Sequence, residues 1–184
     1  KKLIEDLIEA SKASTGNLAV HLEKLEAGVS VVQIVGEFED KLNAADLTLL
    51  IQKPETPVYV MADGRHFWRV IDNLMNNICK YAQPGTRVYV DLRENGGQVE
   101  LIFRNTSRYP LNISSEELME RFVRGDESRN TEGSGLGISI AKSLMELMGG
   151  SFMLYVDGDL FKVVLGFAQM EEEKEPLDED KSGK

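Results

Sequence analysis

Apolar residues recur at helical spacing across residues 63–82, and this is the clearest pattern in the chain. The apolar positions lie three or four residues apart, on one face of an α-helix: Phe67, Ile71, Leu74 and Ile78. Asp63 is a candidate N-cap, because its carboxylate can accept hydrogen bonds from the free N–H groups of a first helical turn. Pro84 and Gly85 follow and indicate where the helix ends. The sequence therefore predicts a helix over residues 63–82.

The rest of the chain divides into shorter helices and strands. Helical spacing predicts helices over residues 1–13, 29–45 and 136–148. Ser114, followed by acidic residues, is a candidate N-cap and predicts a short helix over residues 114–119. Short apolar or alternating runs predict strands over residues 18–22, 47–52, 58–62, 87–93, 99–103, 151–156 and 160–167. Residues 104–111 and 121–137 show neither period, so we expect loops there, and the second loop is expected to be mobile.

The order of these elements favours an α/β fold built on one mixed sheet. Residues 87–103 form a predicted hairpin around Asn95-Gly96-Gly97, and residues 151–167 form a second one around Asp157-Gly158-Asp159. Strands outnumber helices and arrive in hairpins, so the helices are expected to cover one face of a single sheet.

Length and composition limit the classes of protein. A chain of 184 residues with 42% hydrophobic and 28% charged residues is typical of one globular domain. The net charge of −10 argues against a nucleic-acid partner. No apolar run is long enough to span a membrane, and the single cysteine, Cys79, cannot form a disulfide within the chain. Residues 169–184 are rich in acidic side chains, so we expect a disordered tail.

A polar row accompanies the apolar face of the predicted helix over residues 63–82. Its members are Asn73, Asn77, Lys80 and Tyr81, with Asn76 beside them. Asparagine has a low helix propensity, because its side chain competes for backbone hydrogen bonds. One interpretation is a solvated helix face. The other is an oxygen ligand for a hard cation, with a lysine nearby for phosphate.

A glycine-rich run, GSGLG, leads directly into the predicted helix over residues 136–148. Closely spaced glycines allow backbone N–H groups to approach an anion, and the start of a helix adds a favourable dipole. The run lacks the Gly-Lys-Ser/Thr of a Walker A loop, and no strand precedes it as in a dinucleotide-binding fold. Arginines upstream could reach a terminal phosphate: Arg121, Arg124 and Arg129. The alternative for the run is a flexible linker, and for the arginines a solvated loop.

Taken together, these motifs resemble the catalytic domain of sensor histidine kinases, a branch of the Bergerat-type ATPase superfamily. FWRVIDNLMNNICKYA resembles the N box of that family, ERFVRGDESRN its F box, and EGSGLGISIAKSLMELMGG its G2 box. The opening KKLIEDLIEASKASTGN resembles the end of a dimerisation-hairpin helix. The resemblance implies a two-layer α/β sandwich, a mixed sheet with helices on one face, and a mobile ATP lid. It divides the chain into the end of a dimerisation-hairpin helix (residues 1–16), the ATP-binding domain (residues 17–168) and the acidic tail (residues 169–184).

The resemblance also implies roles for individual residues. Asn77 would bind Mg²⁺, Asn73 would face the triphosphate, Lys80 would meet phosphate and Tyr81 would lie against adenine. Arg124 and Arg129 would contact the γ-phosphate, and together with Lys80 they form the implied catalytic set. Further implied contacts to ATP come from the glycine run and from two other segments: Gly133, Ser134, Gly135, Leu136, Gly137, Asn105, Thr106 and Phe122.

Two features depart from the family pattern. The family has an Asp-x-Gly-x-Gly turn whose carboxylate accepts from the adenine amino group, whereas this chain has Asn105 at that position and neither glycine. An amide oxygen can still accept that hydrogen bond. In addition, neither His21 nor His66 has the surroundings of a phosphoacceptor histidine, so both are expected to be structural. The acceptor is expected upstream of Lys1.

The function implied by the resemblance is transfer of the γ-phosphoryl group of ATP to a histidine of the protein's own dimerisation helices. The implied partners are ATP with Mg²⁺, those helices and the receiver domain of a response regulator. A full-length homodimer is implied, on the cytoplasmic side of a membrane-anchored sensor, while a monomer stays open for this chain. Two alternatives are a regulatory module that binds nucleotide without transferring phosphate, and a clamp driven by nucleotide hydrolysis.

Overall fold

A computed structural model of the protein describes residues 11–12, 15–16, 18–124 and 136–170. Its helices and strands follow in this order: β1 (Glu23–Glu26), α1 (Ala27–Gly36), α2 (Glu39–Ala44), β2 (Leu47–Gln52), β3 (Tyr59–Ala62), α3 (Gly64–Tyr81), β4 (Thr86–Asn95), β5 (Gln98–Thr106), α4 (Ser115–Arg124), α5 (Gly137–Leu147), β6 (Ser151–Asp157) and β7 (Leu160–Ala168).

The main sheet has five strands in the order β2-β4-β5-β7-β6. Strand β2 runs parallel to β4, and the other neighbouring strands are antiparallel, so the sheet is mixed as predicted. Strands β1 and β3 form a separate antiparallel ribbon. The two predicted hairpins are the β4–β5 and β6–β7 pairs. The predicted α/β fold with a mixed sheet is confirmed, although β1 and β3 lie outside that sheet. Most of the expected lid, residues 125–135, lies outside the described residues.

One face of the main sheet packs against the helices and forms the core. Residues paired across the strands share a face, and the row Val90, Phe103 and Val163 is completely buried. The apolar face of α3 lies against this sheet, and all four of its predicted core residues have side chains no more than 2% exposed: Phe67, Ile71, Leu74 and Ile78. Helix α3 is therefore the central helix, with α1 on one side and α5 on the other.

Helix α3 begins and ends where its sequence signals predict. The side chain of Asp63 accepts hydrogen bonds from the backbone N–H groups of Arg65 and His66 in the first turn. At the other end Ala82 adopts an extended conformation with ψ 150°, two residues before Pro84. Helices usually end at or before the residue that precedes a proline, here Gln83, because the proline ring disfavours the helical conformation of that residue.

Several predicted boundaries are wrong. The strand predicted over residues 18–22 lies instead at Glu23–Glu26, because Leu25 rather than His21 pairs with β3 and packs on the core. The helix predicted over residues 29–45 breaks into α1 and α2, and the turn between them lets Phe38 pack inward at 3% exposure. Strand β5 continues through Thr106, although the sequence predicted a loop from Arg104, because β4 and β7 pair with it on both sides.

The helix predicted over residues 114–119 also continues further than expected, to Arg124, which removes the first four residues from the predicted mobile loop. The backbone N–H of Glu117 donates to the Ser114 hydroxyl at 3.1 Å, so Ser114 caps α4 as predicted. Within the described ranges no helix has the length and apolar character needed to cross a membrane. Most of residues 1–16 and nearly all of the predicted tail lie outside the described residues.

Candidate functional site

The asparagines of α3 face different neighbours, and Asn76 is held by hydrogen bonds within the protein. Its amide nitrogen donates to the backbone oxygen of Asp72 at 2.8 Å and to the Asp72 carboxylate at 2.9 Å. Its amide oxygen accepts from the Lys41 ammonium group of α2 at 2.9 Å. Arg69 donates to the same carboxylate at 3.3 Å. Asn76 therefore fastens α2 to α3, and its polar atoms are already used.

Asn73 presents the opposite case. Its side chain is buried, and no residue in the described ranges forms a hydrogen bond with its Nδ2 group. The start of α5 lies directly beside it: a Cβ atom added to Gly137 would be 3.4 Å from the Asn73 Oδ1. The structure thus brings the end of the glycine run to the asparagine row, as the combined interpretation of the two motifs requires.

Asn77, Lys80 and Tyr81 continue this row toward the end of α3. All three side chains are half-buried. The Lys80 ammonium group lies 5.0 Å from the centre of the Tyr81 ring, within the range of a cation–π contact. Asn73 and Asn77 are four residues apart, about one helical turn and about 6 Å along the axis. One row therefore offers amide groups, a cation and an aromatic ring in sequence.

The end of α3 is joined to the end of β5. The backbone N–H of Gln83 donates to the Thr106 oxygen at 2.9 Å, and that of Arg108 donates to the Tyr81 oxygen at 2.8 Å. Ala82 and Ser107 form an isolated antiparallel bridge. These bonds hold Thr106 beside the last turn of α3, so the residues predicted from separate segments lie at one junction.

Asn105 lies inside strand β5 and not in a turn, which corrects its predicted placement. It pairs with Val88 and Phe161, which puts it on the core face of the sheet. Its side chain is 4% exposed, and its Nδ2 group donates to the Thr106 oxygen at 3.2 Å. Its Oδ1 atom is buried without a partner among the residues that the structure describes. Leaving such an acceptor unpaired costs about 1–3 kcal/mol, which a donor on a ligand would offset.

Two other buried atoms lack hydrogen-bond partners in the described part, but they belong to an ion pair on the opposite face of the sheet. Asp91 Oδ1 and Arg104 Nε belong to side chains that are ion-paired to each other through their remaining atoms. Both residues lie on the sheet face away from the helices, because their neighbours in the strands pair on the core face. Among the described residues, only Asn73 and Asn105 combine a buried unpaired amide atom with a place on or beside α3.

The structure describes the remaining predicted site residues only in part. Arg124 and Phe122 belong to the last turn of α4, and the structure describes only their backbone. Leu136 is the N-cap residue of α5, and its backbone oxygen accepts from the N–H of Ile140 at 2.9 Å. Four residues lie outside the described part: Arg129, Gly133, Ser134 and Gly135.

The described residues suit Mg²⁺ only with help from a ligand. No group of three or more His, Cys, Asp or Glu residues in the described ranges could hold a metal ion. Mg²⁺ is commonly bound by one or two protein oxygens together with phosphate oxygens and water. A single amide oxygen from Asn77, next to a phosphate-bearing ligand, fits that pattern.

Both histidines have structural contacts, as expected. His66 Nε2 lies 3.0 Å from the backbone oxygen of Ala19, and the backbone N–H of His21 donates to Asp63 at 2.9 Å. Burial raises the pKa of Asp63, but hydrogen bonds from the N–H groups of His21, His66 and Arg65 outweigh it and leave that pKa lowered. Cys79 lies on the side of α3 away from the asparagine row, and burial raises the pKa of its thiol.

Two of these interactions have no signal in the sequence. Lys41 and Asn76 are 35 positions apart, and His21 and Asp63 are 42 positions apart. No periodicity or local motif connects residues at such separations, so only the three-dimensional structure reveals them.

Comparison with known proteins gives a family match over most of the folded part. The model of the family described as histidine kinase-, DNA gyrase B- and HSP90-like ATPase matches residues 62–176. Sensor protein IrlS of Burkholderia pseudomallei is 26% identical over 153 residues, which cover 82% of this chain and 32% of that protein. The chain spans about a third of the length of the curated relatives it matches.

Solved structures share the fold at lower sequence identity. Histidine kinase AdeS of Acinetobacter baumannii superposes with a TM-score of 0.70 at 20% identity, covering 91% of this chain and 77% of that one. Full-length ShkA, solved in complex with AMPPNP, gives a TM-score of 0.75 at 16% identity and covers 93% of this chain and 36% of that one. These similarities establish the arrangement of the sheet and helices.

Proposed function

Because the chain belongs to the family of histidine kinase-, DNA gyrase B- and HSP90-like ATPases, we propose that it binds Mg-ATP and donates the γ-phosphoryl group to a histidine. The acceptor would lie on the dimerisation helix of the same protein, upstream of Lys1. The receiver domain of a response regulator would then take the phosphoryl group. Relatives named as sensor proteins, of which this chain matches about a third, support this assignment.

The observation that carries the proposal is the contrast in hydrogen bonding around α3. Asn76 has partners for both of its amide atoms, whereas Asn73 Nδ2 and Asn105 Oδ1 are buried and unpaired in the described part. A donor and an acceptor left unpaired beside the same helix call for a ligand that carries both kinds of group. A nucleotide has phosphate oxygens that accept and a base that donates.

Each residue of the row has a task that its chemistry suits. Asn77 offers an amide oxygen to Mg²⁺, and Asn73 offers its unpaired N–H to a phosphate oxygen. Lys80 places a positive charge beside the transferred group, and Tyr81 presents an aromatic face to the base. Bound Mg²⁺ would neutralise charge on the phosphate oxygens during transfer. Positioning and charge stabilisation supply most of the catalysis in phosphoryl transfer, so few protein groups are needed.

Asn105 and Thr106 complete the proposed pocket at the base end. The Asn105 Oδ1 atom accepts from the amino group of adenine, which pairs the buried acceptor. Arg124 and Arg129 would reach the γ-phosphate. Within the full-length protein we propose a homodimer whose catalytic domain lies on the cytoplasmic side of a membrane-anchored sensor.

A regulatory module that binds nucleotide without transferring phosphate is the second candidate. Asn105 favours it, since the family has a carboxylate at this position and the chain has a neutral amide. Lys80 favours the kinase, because a module that only binds nucleotide has no need of a cation beside the transferred group.

Transfer of label distinguishes the two functions. The chain would be incubated with γ-labelled ATP and a separately produced dimerisation hairpin from its own parent protein. We expect acid-labile label on the hairpin and none on this chain, at a slow rate because the tether is lost. If the chain binds ATP but labels nothing, the regulatory module is supported. Acid-labile label on this chain itself would contradict the proposed location of the acceptor.

A further inference from the structure

Strand β3 connects three parts of the protein. Strand β1 pairs with one of its edges, with Glu23 opposite Ala62 and Glu26 opposite Tyr59. The segment after β7 reaches its other edge, where Met170 N–H donates to the Tyr59 oxygen at 3.1 Å. β3 then runs directly through Asp63 into α3. Strand β3 is therefore in contact with β1 near the start of the domain and with the segment after β7 at its end. It also leads directly into α3, the proposed nucleotide helix.

Asp63 links two of these parts through its two carboxylate oxygens. Oδ1 accepts from the backbone N–H groups of Arg65 at 3.0 Å and His66 at 3.3 Å, which caps α3. Oδ2 accepts from the backbone N–H of His21 at 2.9 Å. The side chain is 2% exposed, so both oxygens depend on these donors. An N-cap needs only the first set of bonds.

A second contact joins the same two parts. His66, in the first turn of α3, points its Nε2 atom at the backbone oxygen of Ala19 at 3.0 Å. A carbonyl oxygen can only accept, so Nε2 carries the hydrogen and donates. Leu18 and Val20, on either side of Ala19, pack against the core. Residues 18–22, which we call the leading segment, are therefore fixed to α3 by two hydrogen bonds two positions apart.

We propose that Asp63 is a positioning residue that locks the leading segment onto the start of α3, so that the point where the chain enters the domain is held in place relative to the nucleotide helix. This inference rests on the proposed function, in which the phosphoryl acceptor lies upstream of the leading segment and ATP lies along α3. Transfer requires the acceptor and the γ-phosphate to be aligned, and a misplacement of about 1 Å can cost about 100-fold in rate.

The substitution Asp63→Asn separates the two tasks of this residue. Asparagine is as good an N-cap as aspartate, so its oxygen can still accept from the first turn of α3. The second oxygen becomes an NH₂ group, which cannot accept from the His21 N–H. Arg65→Gln is the matched control, because the Arg65 guanidinium is 3.8 Å from Asp63 and its side chain is 77% exposed. An ion pair with such an exposed partner contributes little.

Hydrogen exchange on the 184-residue chain tests the lock without nucleotide. In Asp63→Asn the His21 amide should exchange about tenfold faster than in the wild type, as expected for loss of one hydrogen bond to a charged group. Amides in the middle of α3 should be unchanged, and Arg65→Gln should match the wild type. An equally protected His21 amide in Asp63→Asn would overturn the proposal and leave Asp63 as a helix cap only.

Two further variants keep the test decisive if Asp63→Asn does not fold. His66→Leu removes the donor to Ala19, while His66→Gln keeps an N–H donor on a flexible side chain. We expect faster exchange across residues 18–22 in His66→Leu and partial rescue in His66→Gln. Equal exchange in both variants and the wild type would contradict the lock.

The consequence for transfer is measured in the parent protein with its upstream helix. Asp63→Asn should keep its ATP affinity within about twofold of the wild type and lose about tenfold in the rate of phosphoryl transfer. Loss of ATP affinity instead would assign Asp63 to the nucleotide site and overturn the positioning role. A wild-type parent that binds no ATP refutes the proposed function, whereas the exchange result on His21 still decides whether the lock exists.

Discussion

Asn73 and Asn76 lie three residues apart on α3 and have different surroundings. On the side facing α2, Asn76 bonds to Asp72 and Lys41, and its amide is fully used inside the protein. On the side facing α5, Asn73 keeps a buried N–H group with no partner in the described part, next to Gly137. The residue type alone does not separate a structural asparagine from a ligand-binding one. The presence or absence of an internal partner does.

The largest effect is expected from Asn77→Ala. This variant removes the amide oxygen proposed to bind Mg²⁺, and we expect Mg-dependent ATP affinity to fall about 100-fold, the scale of a bond to a charged partner. Calorimetric titration with ATP, with and without Mg²⁺, measures it. Asn76→Ala, at the neighbouring position that bonds to Lys41, is the control and should retain the affinity. Equal losses of affinity in both variants would remove the distinction between Asn76 and Asn77.

Asn105→Asp sharpens the comparison at the other end of α3. A carboxylate only accepts and repels the oxygen that guanine carries at the position of the adenine amino group, whereas an amide can turn and donate to it. We expect the preference for ATP over GTP to widen by roughly 1–2 kcal/mol, the scale of one buried hydrogen bond. Competition titrations with both nucleotides measure this preference. An unchanged ratio would mean that Asn105 does not face the base.

Gly137→Ala tests the space beside Asn73. The added Cβ would lie in ordinary contact with the Asn73 amide, so the fold should accept it. Alanine in place of glycine should stabilise the start of α5 by up to about 1 kcal/mol, while ATP affinity should fall by about 1 kcal/mol because the ligand space is filled. Urea unfolding and titration give the two values. If Gly137→Ala raised both the free energy of unfolding and the ATP affinity, the proposed ligand position beside Asn73 would be contradicted.

Asn76→Ala should have the smallest effect, and only on stability. It removes the bonds to Asp72 and Lys41, worth about 1–2 kcal/mol together, while the gain in helix propensity returns about 0.5 kcal/mol. A net loss of about 1 kcal/mol in the free energy of unfolding is expected, measured by urea denaturation. Lys41→Met, which removes only the ammonium group, should lose less. A stability unchanged in both would show that this tie contributes nothing.

Local sequence signals predicted helix α3 and the general fold. The features that they did not predict depend on contacts between residues far apart in the sequence. The apolar spacing, the Asp63 cap and the proline after Ala82 all lie within the helix or beside it, so its bounds followed from the sequence. Asn105 was expected in a turn because Arg104 begins a polar run. It lies in β5 because Val88 and Phe161, on two other strands, pair with it on both sides.

The candidate site shows the same division. The residue types of the asparagine row and the glycine run could be read from the sequence, and so could their resemblance to a family of ATPases. The sequence could not show which asparagine is already hydrogen-bonded, since Lys41, the partner of Asn76, belongs to another helix. Similarly, the contact between Asn73 and Gly137 depends on how α5 packs against α3.

Side-chain amide NMR signals test the central claim most directly, because each asparagine NH₂ group reports on its own surroundings. The chain would be labelled with ¹⁵N and titrated with Mg²⁺ and a non-hydrolysable ATP analogue, with each signal assigned by substitution. The predicted result is that the signals of Asn73, Asn77 and Asn105 shift while the signal of Asn76 stays in place. A shift confined to Asn76, or no shift in any of the four at saturating nucleotide, would contradict the proposed site.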